Sequence, residues 1–381
     1  MRAYLDYAAT TPMDSRVLSI LSEYGRLALN PNSLHQAGQK ARRHLERSRE
    51  MIAELLGLGN ASEVLFTSSA TESANWILRG LKRGTETLHV SASQLEHSCI
   101  TDTLEVLEKQ EQCVWQHWSS NEGGQVVIPE AHNAQADVYC LMTVNNETGI
   151  RQPLDRFREW KRENSEHSIW VADCTQSAGK ELHPTDADLA FFASHKIYGP
   201  PGIACVAGKG IRKLEPMLLG GPQEDNKRAG TPPVALAIAF AEALKLMVTE
   251  KEERKAHVRE METFFLSRVF DRLGEEFVKL NGDDSLRMRG IMNLSFAGFE
   301  GTDLVIALDQ RGVQVSPGAA CSTGVVSVSP ILKAMYPSDS ARAAGGVRFC
   351  FSHLTTKEEV SWAVDQLCAI LLHHQGKMRS S

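Results

Sequence analysis

Lys196 stands between an apolar run, residues 189–193, and the turn Gly199-Pro200-Pro201-Gly202. In a partly dry pocket a lysine loses its proton and attacks an aldehyde. In the open, the same spacing gives a surface lysine at the start of a loop. Asp173 closes another apolar run, residues 169–172. A carboxylate there needs a partner, because an unpaired buried charge is costly. A pyridinium nitrogen answers that need and makes the ring an electron acceptor; an N-cap or a structural ion pair answers it too. His97 can stack on a flat ring or move a proton, or be an ordinary satisfied polar residue. The hydroxyl-rich run Thr67-Ser68-Ser69-Ala70-Thr71-Glu72-Ser73 opens a helical pattern. Free N–H groups and the helix dipole favour a phosphate there, and Ser and Thr favour a plain cap.

The elements that must position these residues are legible as an alternation. Apolar runs at 64–66, 88–90, 138–144, 169–172 and 189–193 are separated by helical patterns such as 73–82 and 154–162. This predicts an α/β unit with a large, mostly parallel sheet. Ligands of such sheets bind outside the carboxyl ends of the strands. The residues following the five runs are Thr67 to Ser73, Glu96-His97, Asn145-Asn146-Glu147, Asp173 with Gln176, and Ser194-His195-Lys196. Five polar clusters on one rim predict a site. Helical patterns at 233–248 and 253–273 follow, then shorter strands (293–296, 312–315, 347–352) and helices (302–310, 357–372). These form a second, smaller α+β unit. Residues 15–250 are expected to make the large unit, and 1–14 with 251–381 the small one.

A net charge of -6 offers no general attraction to nucleic acid or anionic membrane. The basic residues at 40–43 and 47–49 alternate with Glu46 and Glu50, as on a solvated helix face. The N-terminus has no apolar signal-like segment and no stretch reaches membrane-spanning length, so a cytoplasmic chain is expected. None of the eight cysteines forms a Cys-x-x-Cys pair. No metal site is therefore expected, and most thiols should be buried as small apolar groups.

Taken in order, these segments resemble the cysteine desulfurases, pyridoxal-phosphate enzymes of the class V aminotransferase family with the fold type I architecture. The resemblance runs from Tyr4-Leu5-Asp6-Tyr7-Ala8-Ala9-Thr10-Thr11-Pro12 and residues 30–35 through 66–73, Glu96-His97, 144–149, 173–177 and His195-Lys196-Ile197-Tyr198-Gly199-Pro200. It ends at Arg228-Ala229-Gly230-Thr231-Pro232, Ala319-Ala320-Cys321-Ser322 and Val347-Arg348-Phe349. It implies that Lys196 holds pyridoxal 5'-phosphate as a Schiff base. Asp173 would pair with the ring nitrogen, Gln176 would contact the phenolic oxygen, and His97 would stack on the ring and take part in proton transfer. Ala70, Thr71 and His195 would bind phosphate, with Ser194 as a neighbouring hydroxyl. Thr231 would reach the phosphate from a second subunit, which implies a homodimer. Asn146 would lie beside cofactor and substrate, and Arg348 would grip the substrate carboxylate.

The resemblance further implies that Cys321 attacks the sulfur of L-cysteine, forming a persulfide and leaving L-alanine. Sulfur would then pass to an acceptor such as an iron–sulfur cluster assembly scaffold or a tRNA-thiolation enzyme. A selenocysteine lyase, or a degenerate scaffold that keeps the fold alone, are the alternatives. Four positions depart from the family pattern. Ala193 stands where a hydroxyl residue is usual, Ser69 replaces Gly, Cys174 replaces Ala, and Pro317-Gly318-Ala319-Ala320 replaces Ser-Gly-Ser-Ala.

Overall fold

The computed structural model describes residues 1–81, 87–130, 136–181, 186–317 and 328–378; Cys321 lies outside them. Strand β1 (Ala3–Tyr4) opens the chain. Seven strands then build one sheet: β2 (Val64–Thr67), β3 (Leu88–Ser93), β4 (Cys113–Trp118), β5 (Val138–Cys140), β6 (Ile169–Asp173), β7 (Leu189–Ala193) and β8 (Ala204–Ala207). Their spatial order is β2-β8-β7-β6-β5-β3-β4, and only β8 runs against the others.

The central strands are buried along their whole length, as a sheet covered by helices on both faces requires. Successive side chains serve opposite layers. Phe66 and Phe192 join the core beneath the helices Gln36–Leu55 and Val234–Thr249. Leu65 and Phe191 join the core beneath Ala70–Gly80 and Ser98–Lys109.

Three departures from the sequence reading have physical causes. The strand expected over 138–144 ends at Cys140, because Asn145 turns the chain: its Oδ1 accepts from the N–H groups of Glu147 and Thr148, both at 3.0 Å. Strands β4 and β8 escape the reading. The first is an edge strand with exposed Val114, and the second is only four small residues long. Arg49 is not on a solvated face. It is buried and forks onto the buried carboxylate of Glu224 at 2.8 and 3.0 Å, while also reaching the Val64 carbonyl.

Strands β9 (Val278–Leu280), β10 (Ile291–Phe296), β11 (Val313–Gln314) and β12 (Gly346–Cys350) follow the long helix Lys251–Leu273. An antiparallel sheet has the order β12-β10-β9, and β1 pairs in parallel with β11. A separate core forms here. Ala3 and Leu5 pack with Phe265, Leu294, Phe349 and Leu367, so the N-terminal strand is part of this C-terminal layer. The hydrogen bond from Cys350 N–H to the Leu5 carbonyl fixes it there at 2.7 Å. Residues 6–11 then cross directly to the carboxyl rim of the large sheet. No helix among the described residues is long and apolar enough to cross a membrane.

Candidate active site

Five strands of common direction, β2, β3, β5, β6 and β7, end on one rim of the sheet. Asp173 is the last residue of β6 and is buried. Its Oδ1 accepts from Thr175 N–H at 2.8 Å. Burial pushes its carboxyl above the ordinary range, while the hydrogen bond from Thr175 N–H and the nearby His97 and Lys196 oppose that rise. A cationic partner for the carboxylate is what such a position calls for.

His97 plays a part the sequence reading lacks: it is the N-cap of Ser98–Lys109, with Nδ1 accepting from Cys99 N–H at 3.1 Å. Burial lowers its pKa, with Asp173 pulling the other way. Assigning the tautomer from that hydrogen bond puts the proton of the neutral ring on Nε2. His97 therefore meets a ligand as a donor.

Lys196 closes the short turn Ser194–Lys196 directly after β7. Its Nζ donates to the carbonyls of Ala8 and Ala9 at 2.6 and 2.7 Å. Desolvation, then the charges of Arg348 and Lys180, lower its pKa from 10.5 to about 8. The unprotonated amine is the nucleophile, so its fraction rises as pH climbs toward that value and levels off above it. Capture of added pyridoxal phosphate by cofactor-free protein is expected to accelerate with pH and reach half its plateau rate near pH 8. Stopped-flow absorbance measures this, and a midpoint near that of free lysine would contradict it.

Arg348 lies on β12 and is buried, with Nη1 donating to the Asn146 carbonyl at 2.9 Å and Nη2 to Asp6 Oδ1 at 2.7 Å. Gln176 Nε2 donates to Ala8 O at 3.1 Å, the carbonyl that also receives Lys196. Tyr7 to Ala9 is thus the seam along which Lys196 and Gln176 meet. Four buried polar atoms here have no hydrogen-bond partner among the described residues: Gln176 Oε1, Asn146 Oδ1, Thr175 Oγ1 and Arg348 Nε. Such atoms each cost about 1–3 kcal/mol unless something satisfies them, so their grouping fits a polar ligand.

At the start of Ala70–Gly80, Ser69 Oγ caps Glu72 N–H at 3.0 Å. The exposed Thr71 and half-buried Ala70 are left at the helix terminus, where an anion is favoured. His195 Nδ1 meets Thr10 Oγ1 at 3.1 Å, and burial lowers its pKa to about 4, so it is neutral. Ser194 Oγ is fully enclosed and without a partner among the described residues, packed so tightly that a Cβ at Gly199 would lie 2.0 Å from it. Thr231 is exposed, three residues after Arg228, whose Nε donates to Glu72 Oε1 at 2.9 Å.

The described residues flanking 318–327 are tied to the same centre. Ser316 exchanges backbone hydrogen bonds with Arg348, at 2.7 and 3.3 Å. Ser329 Oγ donates to Glu147 Oε2 at 2.5 Å. Glu147 is buried, which pushes its carboxyl up to about 7 against the pull of Ser329 and Arg348. The seven described cysteines are all buried, and burial raises the thiols of Cys99, Cys140, Cys174, Cys205 and Cys350. None is a ready nucleophile. Sequence reasoning missed Asp6, Glu147 and Ser329 as partners of the site. Asp6 and Glu147 sat inside the quoted motifs, but nothing in their spacing named the residue each would hold.

These groups fit the cofactor that the resemblance implies. Asp173 offers a buried carboxylate for a ring nitrogen, Lys196 a low-pKa amine, Gln176 and Asn146 unpaired amide oxygens, and the Ala70 end of a helix a phosphate site.

Comparison with known proteins agrees. The class-V aminotransferase family model matches residues 3–362. Cysteine desulfurase IscS of Rickettsia typhi is 34% identical over 378 residues, covering 96% of this chain and 90% of the relative. Among solved structures, a NifS-like protein superposes with a TM-score of 0.89 at 27% identity, covering 98% of this chain and 100% of the other. DndA from Streptomyces lividans gives 0.74 at 28% identity, covering 92% and 99%.

Proposed function

The chain belongs to the class-V aminotransferase family, in its cysteine desulfurase branch, and from that premise we propose that it is a pyridoxal-phosphate enzyme converting L-cysteine to L-alanine with transfer of sulfur to Cys321. The observation that carries this reading is the cluster of unsatisfied buried polar atoms around Lys196 and Asp173. It matches a flat, charged ligand with a carboxylate-bearing substrate beside it.

When bound, the cofactor supplies an electron sink for the carbanion formed at the substrate Cα. Lys196 would be the amine that holds the cofactor through its aldehyde, and its free amine, at the seam, would be a base for proton transfer. Asp173 would pair with the ring nitrogen and favour its protonated form. His97, with Nδ1 committed to Cys99 N–H, donates from Nε2 and becomes a base only when that cap yields. Gln176 and Asn146 orient the ring and substrate, and Arg348 takes the α-carboxylate. Ala70, Thr71 and His195 hold the phosphate; Ser194, enclosed as it is, joins them only on rotating its side chain.

The Cys321 thiolate then attacks the substrate sulfur. A sulfur–sulfur bond forms, the Cβ–sulfur bond breaks with its electron pair left on the alanine fragment, and a proton completes alanine. The ties of Ser316 to Arg348 and of Ser329 to Glu147 anchor both flanks of the segment carrying Cys321 beside the substrate residues.

Sulfur passes on to an acceptor protein, an iron–sulfur scaffold or a tRNA-thiolation enzyme, in the cytoplasm. The active form is a homodimer in which Thr231 completes the partner's phosphate site; the exposure of Leu218 and Leu219 near it supports an interface there. The large unit comprises residues 15–250, and the small one 1–14 with 251–381.

The deciding experiment compares Cys321→Ala with wild type under reductant. The variant is expected to keep the cofactor absorbance and lose sulfide release. Sulfide at the wild-type rate from the variant would refute the persulfide role, and no alanine from cofactor-loaded wild type would refute the desulfurase reading.

A further inference from the structure

A cleft of about 400 Å³ separates the start of Lys251–Leu273 from the loop before β10 and from the Tyr7–Ala8 seam. Seven cationic side chains but only two carboxylates, Glu181 and Glu252, line it. Most of the cations are already committed. Glu181 takes Arg151 at 2.8 Å and Lys255 at 3.7 Å. Arg254 is held by Glu250 at 2.7 Å and Asp14 at 3.4 Å, and Arg289 by Glu262 and Asp284, both at 2.9 Å. Those pairs fix the walls; Lys180, Lys251 and Arg259 have no salt bridge among the described residues, and Glu252 is the one lining carboxylate outside those pairs.

Lys180 is the anomaly. It is half-buried and lines the cleft, yet its ammonium has no hydrogen bond or ion pair among the described residues. Desolvation lowers its pKa to about 8, a value that still leaves it mostly protonated at neutral pH. An ammonium partly withdrawn from water and without a fixed counter-charge is a ready partner for an anion entering the cleft. Tyr7, Met247, Met288 and Phe351 supply apolar wall beside it. Preformed, partly apolar clefts with a few convergent charges are the usual form of a small-molecule site.

We propose that this cleft binds a small oxyanion ligand, bearing phosphate or carboxylate groups, with Lys180 at its floor and Lys251 and Arg259 at its rim. The cleft is separate from the substrate centre, since Lys196, Asp173, His97 and Arg348 do not line it. The two are nevertheless adjacent. Ala8 lines the cleft, and its carbonyl receives the Lys196 hydrogen bond at 2.6 Å. Lys180 is also among the charges that depress the Lys196 amine. An anion on Lys180 offsets one of those charges, so occupancy is felt at the catalytic lysine without contact.

Isothermal titration of the cofactor-loaded protein tests this, because the phosphate site of the cofactor is then filled. Inorganic phosphate and citrate are the two probes, and the stronger binder tells which oxyanion class the cleft prefers. Saturable binding is expected for at least one. Lys180→Met should weaken it about tenfold or more, the loss for a charge-assisted hydrogen bond, whereas Lys180→Arg should retain it. Should Lys180→Met fail to fold, Lys251→Ala at the rim provides the same comparison. No saturable binding of either probe, or affinity unchanged when the ammonium is removed, overturns the proposal.

Discussion

Lys196→Ala is expected to lower alanine formation from L-cysteine by about 10⁴-fold, the upper end of what one positioned proton-transfer group contributes. Lys196→Arg should fall as far, because a guanidinium keeps the charge but never becomes a free amine. The structural reason lies in the setting of the ammonium. Two backbone carbonyls, Ala8 and Ala9, hold Nζ at the seam, and burial with Arg348 and Lys180 brings its pKa down to about 8. A surface lysine would share neither feature. Borohydride separates this role from general destabilisation: it should fix the cofactor covalently to wild-type protein and to neither variant. Covalent fixation in Lys196→Ala would place the Schiff base on another amine, and Lys180 is the neighbour to examine.

The lysine could be singled out in the sequence because its setting is local. An apolar strand, a short turn and a Gly-Pro-Pro-Gly bend are consecutive, and so is the strand that ends at Asp173. The large sheet was legible for the same reason: β6 and β7 are buried on both faces and read as unbroken apolar runs. What stayed hidden depends on pairing across long stretches of chain. Arg49 looks like one more charge on a solvated helix until Glu224, 175 positions on, arrives beneath it. His97 as a helix cap needs the start of Ser98–Lys109 to be known. The tie between Ser329 and Glu147 spans 182 positions. Periodicity reports which way a residue faces; it does not report which residue from elsewhere in the chain it meets there.

The second large effect concerns one such long-range pair. Arg348→Leu is expected to lower kcat/KM for L-cysteine by about 10²- to 10³-fold, or about 3–4 kcal/mol, within the range lost on binding when one partner of a buried charge pair is removed. Two effects combine in that loss. The substrate carboxylate loses its guanidinium, and Asp6, which Arg348 holds at 2.7 Å, is left as an uncompensated anion beside the place the carboxylate must enter. Asp6→Asn alone should change kcat/KM far less, because Arg348 keeps its bond to the Asn146 carbonyl and gains freedom to turn its Nη2 to substrate. The double variant Asp6→Asn, Arg348→Leu should then be more active than Arg348→Leu, since the stranded charge is gone while the missing grip is the same. This is non-additivity of the sign expected for residues in direct contact. It should show mainly in KM, as the repulsion acts on substrate entry. If the double variant is no better than Arg348→Leu, Asp6 does not tune the carboxylate site, and the pair serves only to join β12 to the N-terminal segment.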